Sequence, residues 1–64
     1  MRIDRIKLTT ELAKRDMTQK RLAALSGVSR ATINYIKSGK SCTDDVGNRI
    51  AKALGVDVTE IIEQ

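Results

Sequence analysis

Met17–Lys40 reads M-T-Q-K-R-L-A-A-L-S-G-V-S-R-A-T-I-N-Y-I-K-S-G-K, and its spacing predicts two short helices joined by a glycine turn. Leu22, Ala23 and Leu25 give the first helix an inward face, and Ile33 with Ile36 does the same for the second. Between them, Ser26-Gly27-Val28 stops one helix. Ser29 can cap the next by accepting a bond from an early backbone N–H. Gly27 suits the left-handed conformation at which helices commonly end, because it has no Cβ to clash. Ala23 is small where a crossing helix needs close approach.

The positive charge is centred on this stretch. The net charge is +4, but residues 1–42 hold ten Lys/Arg against Asp4, Glu11 and Asp16, while residues 43–64 hold Arg49 and Lys52 against five acids. From Met17 through Thr43 there is no acid, whereas Lys20, Arg21, Arg30, Lys37 and Lys40 all lie there. A polyanion is attracted by clustered cations and repelled by interspersed carboxylates, so phosphate binding calls for this distribution. A solvated basic face kept for solubility is the competing account.

Outward from the centre, one local pattern marks the helix starts. An apolar residue precedes a capping residue, and another apolar residue follows four positions after the cap, which sets the angle at which the chain enters a helix. It occurs at Ile3-Asp4…Leu8, Met17-Thr18…Leu22, Val28-Ser29…Ile33 and Val56-Asp57…Ile61. Glu60 adds a capping box to the last. Five helices follow: Arg5 to Arg15, ended by Asp16; Gln19 to Leu25; Arg30 to Lys37, stopped by Gly39; one beginning at Thr43 and closed by Gly55; and Val58 to Glu63. Asp44 and Asp45 suit the positive end of the fourth. Gly47 costs about 1 kcal/mol relative to Ala in mid-helix, which points to a neighbour packed against it.

The expected core is Leu8, Leu12, Met17, Leu22, Ala23, Leu25, Val28, Ile33, Ile36, Ile50, Leu54 and Ile61, with Val46 and Ala51 on the inward face of the fourth helix. Ile6 falls off the Leu8/Leu12 stripe and either packs on the C-terminal segment or lies exposed at a partner surface. With no Pro, Phe or Trp and a Leu/Ile/Val/Ala interior, residues 1–64 read as one all-α domain.

Several function classes are disfavoured. His is absent and Cys42 stands alone, so neither a metal site nor an intrachain disulfide is expected. Cys42 reads as a half-buried small residue. Acid–base or nucleophilic catalysis lacks its usual groups, so neither an enzyme nor a cofactor is expected. No apolar run is long enough for a signal peptide or membrane span, which makes a cytoplasmic location the default.

The unit resembles the helix-turn-helix of the phage-repressor/Cro-like (XRE) family. Gln19, Ala23, the Gly27-Val28-Ser29 turn and the Ile33/Ile36 pair carry the resemblance, which extends from Asp4 to Ile62. It implies a five-helix, lambda-repressor-like DNA-binding domain whose third helix enters the major groove of an operator. On a helical wheel Ala31, Asn34, Tyr35 and Ser38 oppose Ile33 and Ile36, with Arg30 beside them. Arg30 can pair with guanine and Asn34 with adenine, Ala31 can meet a thymine methyl, and Tyr35 can reach a base edge or a phosphate. Phosphate contacts are expected from Thr18 and Gln19 at the start of the second helix, from Ser29, from Ser38, Lys40 and Ser41 in the following loop, and from Thr43. Thr18 and Thr43 are also caps, and Asp44 and Asp45 would repel a strand that came too near. The resemblance further implies a twofold dimer, for which Val56, Val58 and Ile62 offer an apolar surface, and no small-molecule ligand. The rival reading is a protein-interaction module, such as an antitoxin or regulatory subunit, built on the same fold.

Overall fold

The computed structural model describes residues 1–63 and contains four α-helices among them: α1 (Arg5–Lys14), α2 (Gln19–Ser26), α3 (Arg30–Lys37) and α4 (Asp44–Leu54). The fifth expected helix is a single 3-10 turn, Val58–Glu60. Its capping box forms as anticipated, with Asp57 accepting from Thr59 and Glu60 reaching back to the Asp57 N–H. The segment then turns at Ile61 to pair with the start of the chain instead of continuing as a helix. Ile3 and Ile62 form an isolated antiparallel bridge. Around it, the Asp4 N–H donates to Ile61 O at 2.8 Å and the Glu63 N–H to Arg2 O at 2.9 Å. Six residues are too few to sustain an isolated helix, and here the competing backbone partners lie across the molecule.

Each α-helix starts on a side-chain cap. Asp4 accepts from the N–H groups of Ile6 and Lys7, Thr18 from Arg21, Ser29 from Thr32 and Thr43 from Val46. Such caps contribute about 1 kcal/mol each, a large share for a chain this short. At the other ends, Gly27 has φ 73° and Asp16, the one non-glycine residue among those described in the left-handed region, has φ 50°. Asp fills that place because its short polar side chain tolerates the conformation.

The core is Ile3, Leu8, Leu12, Leu22, Val28, Ile33, Ile36, Ile50, Ala51, Leu54 and Ile61, with Met17, Ala23, Cys42, Val46, Val56 and Val58 packed around it. Leu25 corrects the expected list, being 47% exposed. At 3.6 residues per turn it lies about 60° from Leu22, on the side away from Ser26. Ser26 is buried in its place, with its Oγ accepting from the Val28 N–H within the turn. Ile3 was anticipated only as a helix-entry contact, yet it is fully buried. Ile6 is 70% exposed and so is not packed into the core.

Two contacts tie the helix-turn-helix scaffold together from outside. The Met1 side chain lies over α4 at Gly47, where a Cβ would collide with its thioether. Arg15 bridges helices, donating from Nε to Leu54 O at 2.9 Å and from Nη1 to the Glu11 carboxylate at 2.7 Å. The hydrogen bond from Arg15 Nη1, and a second from Lys14 Nζ, hold the Glu11 carboxyl below its ordinary pKa.

Candidate nucleic-acid interface

The sequence of α3 places apolar residues at 33 and 36 only, so the helix docks by one edge and leaves the rest to solvent. Ile33 and Ile36 are fully buried, whereas Arg30, Ala31, Asn34, Tyr35 and Ser38 are exposed. Tyr35 is 57% exposed, a large aromatic surface for so small a protein. The four residues expected to meet bases therefore share the outward side of one helix.

The phosphate candidates frame that side. Thr18 caps α2 and Gln19, half-buried, is its first residue. Ser38 follows α3, and Lys40 and Ser41 stand exposed in the loop that leads to Thr43, the cap of α4. The hydroxyls differ in what they can offer. Ser29 accepts from the Thr32 N–H and donates to Thr32 Oγ1 at 2.8 Å, and Ser38 donates to Tyr35 O at 2.6 Å. Both protons are thus committed within the protein. Thr18 and Thr43 accept from backbone N–H groups at 3.1 and 3.2 Å and keep their protons for an outside acceptor. Thr32 was not singled out from sequence. It is half-buried, and because its oxygen accepts from Ser29 its own proton is available. The signal was present in the Ser29/Thr32 spacing of three, which brings a cap and a first-turn hydroxyl together.

No acid lies between Met17 and Thr43 to offset the cations of this unit. Among the described residues, Lys20, Arg21, Arg30, Lys37 and Lys40 enter no ion pair. The two acids that follow the loop are partly engaged elsewhere: Asp45 accepts from Arg49 Nε at 2.9 Å, and Asp44 lies 3.8 Å from the Met1 amino nitrogen. Cys42, in the same loop, has its thiol pKa raised by burial. No group of three or more possible metal ligands occurs among the described residues, and no helix there is long and apolar enough to cross a membrane.

Comparison with known proteins agrees with this geometry. A family model described as the Cro/C1-type HTH DNA-binding domain matches residues 7–64. Among curated proteins, no relative matches the chain. A solved structure described as native PhpD with cadmium atoms superposes with a TM-score of 0.85 at 23% identity, covering 100% of this chain and 14% of that one. The likeness is one of fold, and the chain spans about a seventh of that protein's length.

Proposed function

Because the chain belongs to the Cro/C1-type helix-turn-helix DNA-binding family, we propose that it is a sequence-specific transcriptional regulator of small-repressor type, which inserts α3 into the major groove of an operator. The observation that carries this is the outward side of α3, polar and exposed, set in an acid-free field of five cations without ion partners. Arg30 has two donors for bidentate pairing with guanine, and Asn34 a donor and an acceptor for adenine, each such pair being worth about 1–3 kcal/mol of discrimination. Ala31 and Tyr35 complete the reading surface. Thr18, Gln19, Lys40, Ser41 and Thr43 hold the strands, with Ser29 and Ser38 contributing once their hydroxyls rotate away from their internal acceptors. Regulation then consists of occupying the operator and excluding polymerase.

A twofold dimer belongs to the same proposal, with recognition helices about 34 Å apart on one face of the duplex. The surface left to it by Val56, Val58 and Ile62 is modest. Val56 and Val58 pack half-buried on the protein's own core, and Ile62 is half-buried at the bridge to Ile3.

Fluorescence anisotropy of a labelled mixed-sequence duplex across a salt series tests the reading, with light scattering on the same samples. With four to six phosphates neutralised, log affinity should fall with log salt at a slope of about −4 to −5. Absence of binding at low salt removes DNA as the partner and leaves a protein-gripping module as the function. A monomer on operator DNA removes the dimer alone.

A further inference from the structure

Two cations outside the α2–α3 unit, Arg5 and Lys52, also lack an ion pair or side-chain hydrogen bond among the described residues. Lys52 lines a depression with Asp45 and Arg49, on the side of α4 that faces α2. Arg5 lines a surface cleft of about 390 Å³ with Ile6, Thr9, Thr10 and Lys37. Arg5 and Thr9, like Ile6 and Thr10, are four residues apart on α1, so they form two adjacent ridges of one helix face. Lys37 enters from the end of α3. No acid lines this cleft. The nearest in sequence, Asp4, turns its Oδ1 to the N–H groups of Ile6 and Lys7. Glu63, across the neighbouring depression, lies 3.9 Å from Arg2.

We propose that this cleft is a second phosphate-binding segment, through which α1 holds the sugar-phosphate strand that runs along the α3–α4 loop. The inference rests on the DNA-binding reading and extends it. A phosphodiester is recognised by a guanidinium fork, an ammonium and hydroxyl donors, and Arg5, Lys37, Thr9 and Thr10 supply these around one opening. Ile6, 70% exposed, then has a use as an apolar edge against deoxyribose. Continuity selects the occupant, since Lys37 runs directly into Ser38, Lys40 and Ser41, the loop assigned to the strand. Arg5 and Ile6 lie outside residues 7–64, where the family match falls.

The test compares salt slopes for the parent chain, Arg5→Gln, Arg5→Lys and Lys52→Gln on one duplex. Arg5→Gln should bind all sequences more weakly and give a slope shallower by about 0.9, the value of one phosphate contact. Arg5→Lys should keep the parent slope, and Lys52→Gln, which removes the same net charge elsewhere, should match the parent. Thermal midpoints should be equal, because Arg5 and Lys52 are exposed and make no internal bond. If Arg5→Gln keeps the parent slope, or if Lys52→Gln flattens it equally, the cleft is not a contact and the DNA reading stands. If the parent itself fails to bind duplex, both fall together.

Discussion

Around α1 and α4 the long cations other than Arg5 and Lys52 are tied down, whereas in α2, α3 and the loop after them they stand free. Arg15 spans Glu11 and the last carbonyl of α4, Lys14 shares Glu11, and Arg49 holds Asp45. Lys20, Arg21, Arg30, Lys37 and Lys40 have no such partner. The same side-chain chemistry therefore serves as bracing in one region and as an uncompensated field in the other. A paired cation contributes to the fold and is neutralised at long range. An unpaired one contributes nothing to the fold and leaves its charge available to a polyanion.

The scaffold beneath both regions sets the largest expected effect. Leu22→Ala should cost about 2–5 kcal/mol and lower the midpoint of denaturant unfolding sharply, since the side chain is fully buried. Leu25→Ser, on the same helix, should stay within about 0.5 kcal/mol. Equal losses would mean that α2 is rotated from the position described. Next comes the bracing: Arg15→Met should cost about 1–3 kcal/mol by leaving Leu54 O without its charged donor and Glu11 with Lys14 alone, while the salt slope on DNA stays unchanged. Arg21→Gln should reverse that pattern, with unaltered thermal stability and weaker DNA binding. A variant that moves both readouts would erase the distinction. The smallest effect concerns pH. Glu11 has its pKa lowered by Arg15 and Lys14, so its contribution is present above the ordinary glutamate value of about 4.3 and is lost as pH falls below it. Thermal midpoints measured from neutral to acid pH should show Glu11→Gln narrowing its deficit against the parent as the solution is acidified.

Most of this fold could be read from local chemistry. Asp4, Thr18, Ser29, Thr43 and Asp57 each cap where the staple pattern or the acid pair places a start, and Gly27, Gly55 and Asp16 stop helices in left-handed geometry. Gly47 announced a close neighbour, though not that Met1 would be it. The misses are non-local. Val58–Glu63 has helical spacing, but the pairing of Ile62 with Ile3 is made across 58 intervening positions, and no window of sequence displays it. Leu25 was assigned inward from its residue type, while the stripe Leu22–Ala23–Ser26 turns it out. For the candidate site, exposure of Arg30, Ala31, Asn34 and Tyr35 followed from the Ile33/Ile36 spacing. The Ser29–Thr32 hydroxyl pair is signalled by its spacing of three, whereas the Arg5–Lys37 cleft depends on which helix lies beside which and has no local signal.

The bridge between Ile3 and Ile62 also has a topological consequence. Arg2 and Glu63 lie side by side, joined by a backbone hydrogen bond of 2.9 Å. A short glycine-serine link between Arg2 and Glu63 could close the polypeptide into a ring at the cost of the Met1 contacts with Cys42 and Gly47, and the ring could be reopened in the exposed Lys40–Ser41 loop without cutting a helix. By the same token, this unit can be spliced into a surface loop of another protein, entering and leaving through a gap one strand-pair wide.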